Sequence, residues 1–185
     1  MTVKQYDDVI KAHIDKKDYV KIMRTVTEGS ADIRGFILQM SKGFLLIQKA
    51  EEFFLNGYSI IKKDHFDAIR CNKFDRAFKR MLKAEGILDT DYGIKNKVRL
   101  KDWKTIFENL MKDDYHVIVE CEDLKDPLFV IGPIRKVNSG SVNIQYYDPT
   151  GLLDRKVTNV KYKDITLVKF DERYINIFRK YLRTN

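Results

Sequence analysis

Ile33-Arg34-Gly35-Phe36-Ile37-Leu38-Gln39-Met40-Ser41-Lys42-Gly43-Phe44-Leu45-Leu46-Ile47-Gln48 decides the architecture. Two runs rich in aliphatic and aromatic residues flank Ser41-Lys42-Gly43, a tripeptide suited to a tight turn, so the stretch reads as a β-hairpin. Gly35 inside the first run reads as a bulge or sharp bend, the device that lets a small sheet curl. The pattern returns as Phe129-Val130-Ile131-Gly132-Pro133-Ile134-Arg135-Lys136-Val137, the turn Asn138-Ser139-Gly140, then Ser141-Val142-Asn143-Ile144-Gln145. Pro133 removes one ladder donor, which puts an edge or a bulge beside the second glycine.

Working outward, an offset of 97 in residue number relates much of the first half to the second. Tyr6, Val9, Ile10 and Ile14 fall on Trp103, Ile106, Phe107 and Met111; Val20 and Ile22 fall on Val117 and Val119. Further on the offset is 100, taking Phe74, Phe78 and Leu82 to Tyr174, Phe178 and Leu182. The extra residues fall in Tyr146–Asn159, around the turn Asp148-Pro149-Thr150-Gly151, where a fold tolerates insertion. The reading is a tandem duplication, with units at 1–86 and 100–185 joined by 87–99. The competing reading is one α+β domain with coincidental periodicity.

Each unit opens on a helical stripe, Tyr6, Val9, Ile10, His13 and Ile14 in one, Trp103, Ile106, Phe107, Leu110 and Met111 in the other. Strands follow at Val20–Ile22 and Val117–Val119, then the hairpins, then Tyr58–Ile61 and Val157–Tyr162, then Ala68–Cys71 and Ile165–Phe170. An amphipathic helix closes each unit, with Phe74, Ala77, Phe78, Met81 and Leu82 matched by Tyr174, Ile177, Phe178, Tyr181 and Leu182. The joining segment carries Ile87, Leu88, Ile94 and Val98, too apolar for a free linker, and is expected to hold the units against one another.

A helix, five bent strands, a glycine in strand two and a turn before strand three resemble the Sm-like small barrel, a relative of the SH3-like barrels. Gly35-Phe36-Ile37-Leu38 leading to Phe44-Leu45-Leu46-Ile47 is similar to the first Sm motif, and Ile69-Arg70-Cys71 to the second. The resemblance implies an α+β chain of two tandem five-stranded small barrels, each flanked by an N-terminal and a C-terminal helix. It also implies that Arg70 matches a nucleotide-contacting arginine. The family's Asp and Asn partners are replaced by Ser41 and Leu45 in the first unit, and by Asn138 and Val142 in the second.

Composition narrows the function classes. Apolar residues make up 44% and charged residues 34% of 185, enough apolar material for a core. Runs such as Phe44-Leu45-Leu46-Ile47 stop at four residues, far short of the roughly 20 a membrane helix needs. Two cysteines, Cys71 and Cys121, suit a reducing compartment, so a soluble cytoplasmic protein is expected. His13, His65 and His116 show no metal-ligand spacing, and phosphate-loop, dinucleotide and nucleophile-elbow motifs are lacking. Cys71 lies near Arg70 and Lys73, cations able to lower a thiol pKa, but no base partner accompanies it. The sequence therefore supports no catalytic residues, no metal and no cofactor.

Thirty-five Lys and Arg against 27 Asp and Glu leave a net charge of +8. The candidate nucleic-acid contacts are Arg70, Lys73, Arg76, Lys79, Arg80 and Lys83 on and before the first closing helix, with Lys95, Lys97 and Arg99 after it. Arg173, Arg179, Lys180 and Arg183 form a third basic stretch. The expectation is a non-catalytic binding or scaffolding protein, with protein or nucleic acid as partner and barrel edges open to self-association. The alternative is an RNA- or DNA-binding protein that uses the basic helix faces.

Overall fold

The structure is a computed structural model that describes residues 3–26 and 29–184. Helix α1 (Val3–Asp15) leads into β1 (Tyr19–Val26), β2 (Gly29–Met40), β3 (Phe44–Glu51), β4 (Phe54–Lys62) and β5 (Ala68–Arg70). Helices α2 (Lys73–Ala84) and α3 (Ile87–Thr90) follow, then α4 (Trp103–Lys112). The second half adds β6 (His116–Cys121), β7 (Leu128–Val137), β8 (Ser141–Ile144), β9 (Thr158–Lys161), β10 (Leu167–Phe170) and α5 (Arg173–Phe178).

The strands form one ten-stranded sheet in the order β5-β1-β2-β3-β4-β10-β6-β7-β8-β9, with every pairing antiparallel. The two tandem five-stranded barrels that the sequence led us to expect are therefore not what forms. The edge of β4 is not turned back on its own half; it pairs with β10, Tyr58 opposite Phe170 and Ile61 opposite Leu167. That join makes a single open sheet. The strand order of the first five is repeated by β10-β6-β7-β8-β9.

Burial explains the join. Phe44, Leu45, Leu46 and Ile47 are all buried, so β3 is covered on both faces. Leu45 and Ile47 pack with Ile10, Val20, Ile22, Ile33, Ile37, Ile61 and Leu167 under α1. Phe44 and Leu46 point the other way, into a larger core with Tyr58, Ile60, Val117, Val119, Val142, Val168 and Phe170. Helix α4 covers that core with Trp103, Ile106, Phe107 and Leu110, and Val98 and Leu100 of the joining segment belong to it. Two separate barrels would have left the second face of β3 and β4 wet, exposing several large apolar side chains at about 1.5–3 kcal/mol each.

The glycine readings hold locally. A Cβ on Gly35 would lie 2.0 Å from the Gln48 carbonyl oxygen, and one on Gly132 would lie 1.9 Å from that of Gln145. Pairing slips between Ile37 and Gln39 and between Ile134 and Lys136, so the bulges come just after these glycines. The second closing helix is shorter than its periodicity suggests: α5 ends at Phe178, and a single 3-10 turn covers Arg179–Tyr181.

Candidate functional site

Two clefts lie where the halves meet. The first, of about 730 Å³, has walls from β3 and β4, the joining segment and α5. Gln48, buried in β3, donates from Nε2 to the Asp91 carbonyl at 2.8 Å and accepts from the Gly93 N–H at 2.9 Å. The Tyr58 hydroxyl donates to the Gly93 carbonyl at 2.7 Å, and burial pushes its pKa up to about 12, so it remains a donor. Three hydrogen bonds thus peg residues 91–93 to the sheet. On the far side, Gly57 (φ +63°) passes so close to Asp171 that a Cβ would sit 2.6 Å from its carbonyl carbon. That approach seats α5 beside the cleft, and the Arg173 N–H donates to Asn56 Oδ1 at 3.0 Å.

The cleft brings together cations from two distant parts of the chain. Lys95, Arg173 and Lys180 line it with Tyr92 and Asn176, and none of the three cations has an ion-pair partner among the described residues. Of its two carboxylates, Asp171 already accepts from Asn176 Nδ2 at 2.7 Å. The elements carrying Arg173 and Lys180 also present Tyr174 and Tyr181, 52% and 69% exposed. Both tyrosines belong to a stripe that helical periodicity assigns to the core. Phe74, on the equivalent stripe of α2, is likewise 68% exposed, with the Lys73 ammonium 5.1 Å from its ring centre. Exposed aromatics therefore adjoin cations at Lys73-Phe74, Arg173-Tyr174 and Lys180-Tyr181.

The second cleft, of about 710 Å³, opens over β1 to β4, β10 and β6. The sheet coils so far that Arg24 of β1 reaches Glu122, just past β6. Nη2 donates to both Glu122 carboxylate oxygens at 2.9 Å, and Nη1 donates to the Thr166 carbonyl at 3.4 Å. Lys49 pairs with Glu172 and Glu51, each at 3.0 Å, and Lys169 with Glu120 at 2.5 Å. Burial alone would lower the Lys49 pKa, but the Glu172 and Glu51 carboxylates outweigh it and the net shift is upward. Glu51 is likewise raised by burial and lowered by more through Lys49 and Asn56. These shifts favour the charged forms, the signature of ion pairing rather than of an acid or base poised near neutrality. Arg24 Nε and Ser59 Oγ in this cleft are buried without a hydrogen-bond partner among the described residues.

The basic residues expected from the sequence scatter over several surfaces. Arg70 is held by Asp75 through Nε at 3.1 Å and Nη2 at 2.9 Å. Arg76 donates to the Cys71 carbonyl, and Lys79 to the Lys16 carbonyl and Asp18. Lys73, Arg80 and Lys83 stay exposed on α2. Lys95 enters the first cleft, whereas Lys97 and Arg99 line a shallower depression with Lys11. Cys71 also departs from the sequence reading. Burial, with Asp18 and Asp75 adding to it, pushes its thiol pKa up despite Arg76.

Sequence reasoning did not single out Arg24, Ser59, Tyr92 or Asn176. Arg24 carried a usable signal: it continues the Val20, Ile22 alternation onto the buried face, where a charge requires a partner. No protein-family model, curated protein or solved structure matches the chain.

Proposed function

We propose that the protein is a non-catalytic binding protein, and that its ligand is a single-stranded nucleic acid held along the first cleft. One observation carries the reading: Lys95, Arg173 and Lys180 stand around one open cleft without ion-pair partners among the described residues, and the elements carrying Arg173 and Lys180 also expose Tyr174 and Tyr181. Unpaired cations track a phosphate backbone, and exposed rings stack on bases without reading sequence. The ion-paired state of the second cleft supports the non-catalytic part of the reading.

The test is fluorescence anisotropy of labelled single-stranded RNA and DNA with the full chain across a salt series. Three phosphate contacts predict a log-affinity against log-salt slope of about −2, at about 0.7 per contact. Arg173→Glu with Lys180→Glu is expected to weaken binding at least tenfold, whereas Lys156→Glu, exposed between β8 and β9, is expected to change it little. No binding at low ionic strength, or equal losses in both variants, defeats the reading.

A second reading, a scaffolding protein with a protein partner, has its own observation. Phe53 and Met81, about half exposed, line a depression beside α2 with Glu85 and Ile87. Retention of partner binding after Met81→Glu would end it.

A further inference from the structure

A turn that joins α1 to β1 and a distant strand end bring an imidazole, a carboxylate and a thiol to one place. His13 lies in the last turn of α1, and Asp18 follows a tight turn closed by its own N–H donating to the His13 carbonyl at 2.9 Å. Cys71 stands between β5 and the Asn72 that caps α2. One ligand atom from each lies within 4.8 Å of the other two. His13 Nδ1 is 3.0 Å from Asp18 Oδ2.

We propose that His13, Asp18 and Cys71 form a site for a borderline-soft divalent cation, zinc by preference. Bonds of about 2.0–2.3 Å in tetrahedral geometry set ligand atoms roughly 3.3–3.8 Å apart, so the three close around an ion through shifts of less than about 1.5 Å. A mixed nitrogen, oxygen and sulfur set selects zinc over magnesium or calcium, which take oxygen ligands. The Asp18 carboxylate and the Cys71 thiolate balance the ion's two charges. The Cys71 S–H bond breaks on binding, its proton passes to solvent and a metal–sulfur bond takes its place.

Surrounding contacts favour the geometry. Lys79 Nζ donates to Asp18 Oδ1 at 3.1 Å and to the Lys16 carbonyl at 2.7 Å, which fixes the carboxylate with Oδ2 turned toward His13. Such outer partners commonly orient metal ligands. The side chains of His13 and Asp18 are 20% and 17% exposed, enough for a water to complete the fourth position. The sequence hides the set, because β1 and β5 must pair, Lys21 opposite Arg70, before Cys71 approaches His13 and Asp18.

The experiment titrates the full, reduced chain with cobalt(II) alone and then displaces it with zinc. The expected result is one equivalent of tetrahedral cobalt with a thiolate-to-cobalt charge-transfer band, lost on zinc addition. Cys71→Ser is expected to abolish that band and His13→Ala to weaken zinc affinity at least tenfold, whereas Cys121→Ala keeps both. Should Cys71→Ser fail to fold, Asp18→Asn carries the same expectation of a tenfold loss. Absence of a tetrahedral spectrum in the unaltered chain, or a band that survives Cys71→Ser, overturns the proposal.

Discussion

His116 opens β6 at 8% exposure, with the Tyr147 ring centre 6.3 Å from its own and no partner for Nδ1 among the described residues. Burial, helped by the Arg179 guanidinium, lowers its pKa from 6.5 to about 4. The folded protein therefore keeps the ring neutral while the unfolded chain takes up a proton, so stability falls as pH drops from 6.5 toward 4. The loss on completing that window is on the order of 3 kcal/mol. Urea unfolding at pH 7 and pH 4.5 should show His116→Gln with most of this slope removed, and an unchanged slope would contradict the assignment. Asp18, Asp75 and Glu51 act in a lower window: their lowered pKa values contribute stability that is present above the ordinary carboxylate range and is lost as pH falls through and below it. At the same scale, Arg24 and Glu122 bind the first half to the second through a nearly buried ion pair. Removing one partner strands a charge, whereas replacing both with apolar residues of similar volume is often tolerated.

Helix α2 shows how an element can keep its sequence pattern and yet bury little of it. Its stripe of Phe74, Ala77, Phe78, Met81 and Leu82 places only Leu82 fully inside, with the Phe78 ring in tilted contact with Tyr19 and Phe53. With so little buried, the helix depends on its cap. Asn72 Oδ1 accepts from the Phe74 and Asp75 N–H groups at 2.9 and 3.2 Å, and Asp75 Oδ2 accepts from the Asn72 N–H at 2.8 Å. Asn72→Ala is expected to destabilise the protein by about 1 kcal/mol, read by chemical denaturation, and amide exchange should rise first in residues 73–84. The stripe was legible from spacing alone. That half of it faces solvent was not, because a period of 3.6 marks which residues share a face and not what covers that face.

Across the whole molecule, the shared core decides cooperativity. Phe44, Leu46, Tyr58 and Ile60 from the first half pack with Val117, Val168 and Phe170 from the second, and Trp103, the sole tryptophan, lies in the same cluster. Unfolding should therefore be one transition, with Trp103 fluorescence and far-ultraviolet circular dichroism superimposing. Residues 1–99 alone should not fold stably, since they lack the strand that pairs with β4 and the helix whose Trp103 packs on Phe44. Two resolved transitions, or a folded 1–99 fragment, would contradict the shared core.

Hairpins, the sharp approaches at Gly35 and Gly132, and the opening helices could be read from residues alone, because turn chemistry and side-chain periodicity act within a few residues. The run Phe44-Leu45-Leu46-Ile47 even carried the clue that β3 is covered on both faces, since a strand with one wet face alternates. Only the tertiary structure decided that β4 pairs with β10 in one open sheet, that Lys95 meets Arg173 and Lys180, and that His13, Asp18 and Cys71 converge. Each depends on which sheet edge and which apolar face remain uncovered once the local elements exist, a contest between distant parts of the chain that local pattern does not record.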